Sequence, residues 1–272
     1  MPTLTHWIAL VGFACSCQAA TSASLVARYG PPVMQQFDGA PGIRITVEYG
    51  PDRMLKAVRL APPDYDPHQI APSTTMDPAA VAAVAAFFVP TAQRDRMSSR
   101  SQCGRGNPKV CTHTETDDEF VTTTRLPDSK VGQGDFVVTI ASEHGLVLSS
   151  TAFQARFGPP VAEEFTADIS IGLTATYDTA SKVAEVYIAA FQSLLDPTVR
   201  PRNLPALAID RILDEMVPLS QRTGEVREMV ESSGVGSLTS VQFDNVRISR
   251  VTVGDLVQNA TVRWGPRQLR GN

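Results

Sequence analysis

The sequence predicts an α+β protein built as two tandem, pseudo-symmetric copies, each a short helix, a β-hairpin, an amphipathic helix and closing antiparallel strands. Three observations lead there. LVARYGPPVMQQF at Leu25 to Phe37 returns as FQARFGPPVAEEF at Phe153 to Phe165, 128 positions later. The same shift aligns Ala27 to Arg94 with Ala155 to Arg222 without a gap, and 17 of the 68 pairs are identical, against roughly one in sixteen for average composition. Behind each copy of the motif, apolar residues recur first with period two and then at helical spacing, as strands and then a helix require. Two copies are too few for a solenoid, so residues 21–146 and 147–272 are expected to form a pair of related units behind a leader at residues 1–20.

Ser24 to Tyr29 reads as a short amphipathic helix. Gly30 fits a left-handed position after its last turn, and Pro31-Pro32 prevents its continuation. Gly158 and Pro159-Pro160 repeat the stop. A phosphate-cradling loop would need several glycines with free N–H groups ahead of a helix, whereas proline removes donors. The motif is therefore punctuation. Val33 and Phe37 lead from it toward the core.

Ile43 to Tyr49 (IRITVEY) alternates apolar and polar residues, the mark of a strand with one face on a core. Gly50 to Arg53 supplies a turn and Met54 to Leu60 the partner strand. In the second copy Ile171, Leu173, Ala175 and Tyr177 point inward, and Val183 to Ile188 returns. Asp77-Pro78 then opens a helix, with Asp as cap and Pro in the first turn. Its stripe is Val81, Val84 and Phe88, and Pro90 ends it. The counterpart stripe is Ile209, Ile212, Leu213 and Met216 before Pro218. Closing strands are expected at Phe120 to Arg125 and Phe136 to Ile140, and at Val241 to Val251 and Ala260 to Trp264. Between helix and closing strands the copies diverge: Ser98 to Asp118 reads as a polar loop, Glu225 to Ser232 as a short helix.

Composition narrows function. The chain is 43% hydrophobic and 19% charged with a formal net charge of −4, so no positive field points to nucleic acid. Trp7 to Cys17 is apolar over the length of a signal-peptide core and too short for a permanent span; cleavage after Ala19 or Ala20 predicts a secreted or periplasmic protein with no membrane span in the mature chain. A lipid anchor on Cys15 or Cys17 fits less well, because no Leu stands three places before either. Removal of the leader leaves Cys103 and Cys111, which read as a local disulfide across GRGNPKV. That spacing matches no common zinc or redox pair.

The chain is chemically quiet. His6 lies in the leader and His68 in a Pro-rich connector. His113 precedes Glu115, Asp117, Asp118 and Glu119, which read as a solvated acidic loop, and Ser142-Glu143-His144-Gly145 carries no hydrolase signature. The carboxylate pairs Glu163-Glu164 and Asp214-Glu215 read as surface charge. Asn259-Ala260-Thr261 matches a glycosylation triplet but falls at the start of a strand. No catalytic residue, cofactor site or metal site is therefore expected.

The pattern aromatic-Gly-Pro-Pro, then Ile-x-Ile/Leu-Thr-Val/Ala-x-Tyr, with ILDEMVP at Ile212 to Pro218 and FDNVRISR at Phe243 to Arg250, resembles uncharacterised exported bacterial proteins over most of the mature chain. More loosely, a short helix ending in aromatic-Gly-x-Pro before a β-meander is similar to the tandem-repeat β-lactamase inhibitor proteins and the small outer-membrane assembly lipoproteins. The helix from Ala79 to Val89 is not part of that looser pattern. These resemblances imply a fold and no activity. The function expected is a non-catalytic binding or interaction module for an unknown protein or small molecule. The alternatives are an envelope hydrolase with a site between the copies and an envelope-assembly accessory factor.

Overall fold

The computed structural model describes residues 21–64, 76–88, 98–103, 110–116, 120–127, 137–146, 150–168, 170–191, 193–194, 204–224, 227–233, 236–254 and 256–265. The expected leader, His6, His68, most of the Pro-rich connector and Asp117 to Glu119 lie outside these residues. The protein is α+β and mostly sheet.

Helix α1 (Ser22–Tyr29) begins at a capping box: Thr21 Oγ1 accepts from the Ser24 N–H at 3.2 Å and Ser24 Oγ accepts from the Thr21 N–H at 2.9 Å. It stops at Gly30, whose φ of 77° and ψ of −178° lie in an extended region open in practice only to glycine. The expected positive φ is present, but the chain leaves the helix extended rather than curling back in αL. It runs straight into a strand.

That strand, β1 (Met34–Ala40), is followed by β2 (Ile43–Tyr49) and β3 (Leu55–Ala61). Helix α2 (Pro78–Phe88) starts where Asp77 Oδ1 accepts from the Ala79 N–H at 3.2 Å. Next come β4 (Ser98–Cys103), β5 (Val110–Thr116), β6 (Phe120–Pro127) and β7 (Val137–Leu146). The second run is α3 (Ser150–Phe157), β8 (Ala162–Asp168), β9 (Ile171–Tyr177), β10 (Val183–Ala190) and α4 (Ala206–Met216), then β11 (Arg227–Ser233), β12 (Gly236–Gln242), β13 (Val246–Val253) and β14 (Leu256–Trp264).

Two readings are corrected here. Ser98 to Asp118 contains the β4–β5 hairpin rather than an irregular loop, and the helix expected at Glu225 to Ser232 is strand β11. Arginine, glutamate and methionine propensities are weak priors, and pairing with β12 overrides them.

The strands form one sheet in the order β11-β12-β13-β14-β10-β9-β8-β1-β2-β3-β7-β6-β5-β4. At its centre β1 and β8 run antiparallel, with Met34 opposite Glu164, Gln35 opposite Glu163 and Gln36 opposite Ala162. The Val33 N–H extends the ladder to the Glu164 carbonyl and the Val161 N–H to the Gln36 carbonyl, both at 2.8 Å.

The four α-helices among the described residues pack against one face. Under α2 and α3 lie Phe37, Ile45, Val47 and Leu60; under α1 and α4 lie Phe165, Leu173, Val186 and Ile248. The opening helices cross the junction. Leu25 of α1 is buried among the core residues of β8 to β10, and Phe153 of α3 among those of β1 to β3. The Phe153 ring lies 5.2 Å from Phe37 and stacks on Phe88 at 5.4 Å. Each such buried side chain contributes about 1.5–3 kcal/mol, so the exchange locks the two sides together.

Candidate functional site

Side-chain alternation sends neighbouring residues to opposite faces, and the centre of the sheet uses both. Toward the helices, Glu163 is 4% exposed. Its Oε1 accepts from Gln35 Nε2 at 2.7 Å, and its Oε2 accepts from the hydroxyls of Tyr177 and Ser22, both at 2.5 Å. Tyr49 completes the chain by donating to Gln35 Oε1 at 2.7 Å. Burial, then the hydrogen bond to Glu163 and its charge, push the Tyr177 hydroxyl pKa upward.

On the opposite face, which no helix covers among the described residues, two rows of side chains cross the junction. Register partners give one row as Ala57, Glu48, Met34, Glu164, Thr174 and Tyr187. The other runs Ala162, Gln36, Thr46 and Arg59. Between them they floor a cavity of about 440 Å³. Its rim is drawn from both sides: Pro62 and Pro63 follow β3, Leu194 follows β10, and Gln258 and Asn259 come from β14. That volume lies in the range of small-molecule sites, roughly 300–1,000 Å³.

Leu194 is held in place by Glu48. The buried Glu48 carboxylate accepts the Ser193 hydroxyl at 2.8 and 2.9 Å and the Leu194 N–H at 2.7 Å, while the Leu194 side chain covers Met34 and Ala57. Glu48 is thus fully occupied. Glu164 is different, since no described residue donates to its carboxylate. Burial first, and the charge of Glu48 second, raise its pKa to about 7. The carboxylate lies over Gly172, where an added Cβ would come within 2.6 Å of Oε1. Glycine at that position leaves the acid room.

Two guanidinium groups stand across the cavity from Glu164. Arg44 pairs with Asp38 at 2.9 Å and reaches Gln36 at 3.4 Å. Arg59 Nη2 donates to the Leu194 carbonyl at 3.3 Å. A carboxyl whose pKa is raised toward neutrality, sharing one open cavity with two guanidinium groups, can bind a polar ligand or move a proton.

No family model, curated protein or solved structure matches the chain. The cavity therefore speaks for itself.

Sequence reasoning took Glu163-Glu164 as surface charge, and the structure corrects this: one is buried in the junction and the other lines the cavity. The pair Asp214-Glu215 does lie on the surface, joined to Arg222 at 2.6 Å and Arg28 at 2.8 Å. Asn259, noted only for its triplet, sits at the cavity rim. His113 and His144 fall in β5 and β7. Cys103 and Cys111 are register partners in the β4–β5 hairpin. The missed signal was the 128-residue shift itself. It sets Gln35 on Glu163 and Gln36 on Glu164, polar on polar at positions flanking the matched Phe37 and Phe165.

Proposed function

We propose that the chain is an exported binding protein made of two tandem α+β copies, and that it holds a small ligand in the cavity their joined sheet forms. The observation carrying the functional reading is that cavity, about 440 Å³, on the helix-free face, with polar side chains from both copies converging on it. Support for the duplication comes from strand order. From the junction outward it reads β1-β2-β3-β7-β6-β5-β4 on one side and β8-β9-β10-β14-β13-β12-β11 on the other, so each strand has a counterpart seven places later. Gln35 and Glu163, 128 apart, face each other at the centre, as residues on a pseudo-twofold axis must.

Export rests on the apolar run at residues 7–17, and the disulfide on two cysteines paired in register across a hairpin. Among the described residues no helix is long and apolar enough to cross a membrane. Non-reducing peptide mapping of the secreted chain tests both leader cleavage and the Cys103–Cys111 bond.

Native mass spectrometry of the gently purified chain tests the main reading. The expected spectrum shows an adduct of a few hundred daltons that disappears on Ala189→Trp, which fills the cavity floor. A wild-type chain with no adduct, and no thermal stabilisation by any small-molecule fraction of the envelope, would refute it.

A second reading, an envelope hydrolase, is favoured by Glu164 alone. A glutamate with a pKa of about 7 suits general acid–base work near neutral pH. In that case the bound molecule is converted on incubation and Glu164→Gln stops conversion while leaving the adduct. Unchanged turnover in that variant would remove the hydrolase.

A further inference from the structure

Resting on the reading of the cavity as a binding site, we propose that its ligand is a short zwitterion the size of a di- or tripeptide, with its carboxylate at Arg44 and Arg59 and its ammonium at Glu164.

The argument starts from what the two copies share. Thr46 matches Thr174 and Ala61 matches Ala189 in the cavity wall, so the frame offers the same positions twice. Pro62 and Ala190 differ but keep the wall apolar, whereas three other matched positions differ in polar or charged character. Arg44 stands where the other copy has Gly172, Arg59 where it has Tyr187, and Gln36 where it has Glu164. A symmetric frame has thereby acquired a cationic end and an acidic end. A dianion would find Glu164 opposing its second charge, and a dication would find two guanidinium groups doing so.

Spacing sets the length. Arg44 and Arg59 lie on β2 and β3, Glu164 on β8, so two or three strand spacings separate them, about 10–14 Å between backbones. The side chains reach inward from both ends, leaving a span that two or three extended residues, at about 3.3–3.6 Å each, can bridge. Glu164 supplies the second requirement. It is a partly buried carboxyl in the cavity wall without a donor among the described residues, an arrangement that an ammonium group relieves. The nearby Glu48 charge, already bound to Ser193 and Leu194, strengthens the local preference for a cation. The described charged or titratable groups facing Glu164 from the surrounding elements are Glu48, Arg44, Arg59 and Tyr187.

Isothermal titration of the full chain at pH 8 with four probes tests the assignment: trialanine, N-acetyl-trialanine, trialanine amide and the doubly blocked peptide. Trialanine is expected to bind, and each block to weaken it by about tenfold or more. Glu164→Gln should erase the discrimination against the acetyl form only, and Arg59→Met that against the amide form only. These are ratios within one variant, so a partly destabilised protein still reports them. Equal binding of the doubly blocked peptide, abolished by Ala189→Trp, overturns the zwitterion while leaving the cavity as the site. Failure of all four probes to bind also overturns it, and the native adduct then decides separately whether the cavity binds anything.

Discussion

Glu163 and Glu164 are neighbours on one strand with opposite fates. The first faces the helices, where three donors satisfy its carboxylate. The second faces the cavity, where burial raises its pKa to about 7 and no described residue donates to it. Glu163 is buried and Glu164 partly so, and what separates the structural acid from the functional one is more than that difference. It is the supply of hydrogen bonds. A carboxylate given donors by its own chain stabilises the fold, while one left without them is poised for a proton or a ligand.

The sharpest way to break this comparison is Glu163→Leu. It strands the Gln35 amide and the Tyr177 and Ser22 hydroxyls at the junction, and stability measured by urea unfolding should fall by about 4 kcal/mol. A loss no larger than that of an exposed glutamate would show that the network does not hold the junction.

Glu164 should behave in the opposite sense. Its pKa is about 7 in the folded protein against 4.5 for the ordinary group, so the folded state binds the proton more tightly than the unfolded chain. Its contribution is therefore full below about pH 4.5 and is lost as pH rises to about 7, by on the order of 3 kcal/mol. Glu164→Gln cannot ionise. Relative to wild type it should gain stability progressively across that window and hold the gain above it, as read from paired denaturation curves. A difference independent of pH would mean that the acid titrates normally.

Smaller changes refine the picture. Tyr177→Phe removes one of the three donors to Glu163 and should lower stability by about 1.5 kcal/mol, measured in the same way. Ser22→Ala removes the donor from the end of α1 and should lower it by about 0.5–1 kcal/mol. If the two losses came out reversed, the helix rather than the strand would be the main support of Glu163. A double-mutant cycle on the pair would then locate the coupling.

Much of the frame was legible because the physics was local. Period-two alternation in Ile43 to Tyr49 and Ile171 to Tyr177, and the stripes of α2 and α4, mark elements whose cores are apolar. Strands β1 and β8 were not legible for the same reason reversed. They place Gln35 and Glu163 on the core side, where the pattern calls for apolar residues, and only partners far away in the chain make those positions tolerable. Strand β11 carries Arg, Glu and Met, residues that favour helices, and β4 and β5 are dominated by Ser and Thr. Each is a strand through its neighbours in the sheet rather than its own composition. The cavity was hidden more deeply still, since its floor is assembled from six strands of two segments over a hundred residues apart.

The crossing of α1 and α3 has a consequence for how the protein comes into being. A chain is made from its N-terminus, and α1 emerges early with Leu25 bound for a surface that β8, β9 and β10 have yet to provide. The first sheet segment waits in turn for Phe153 to close the space beside Phe37. The first core cannot be sealed until α3 has been made, nor the second until β8 to β14 have followed. Packing of the first core is thus deferred past the midpoint of synthesis, and a nascent chain stalled there exposes the space beside Phe37 and the apolar face of Leu25 together.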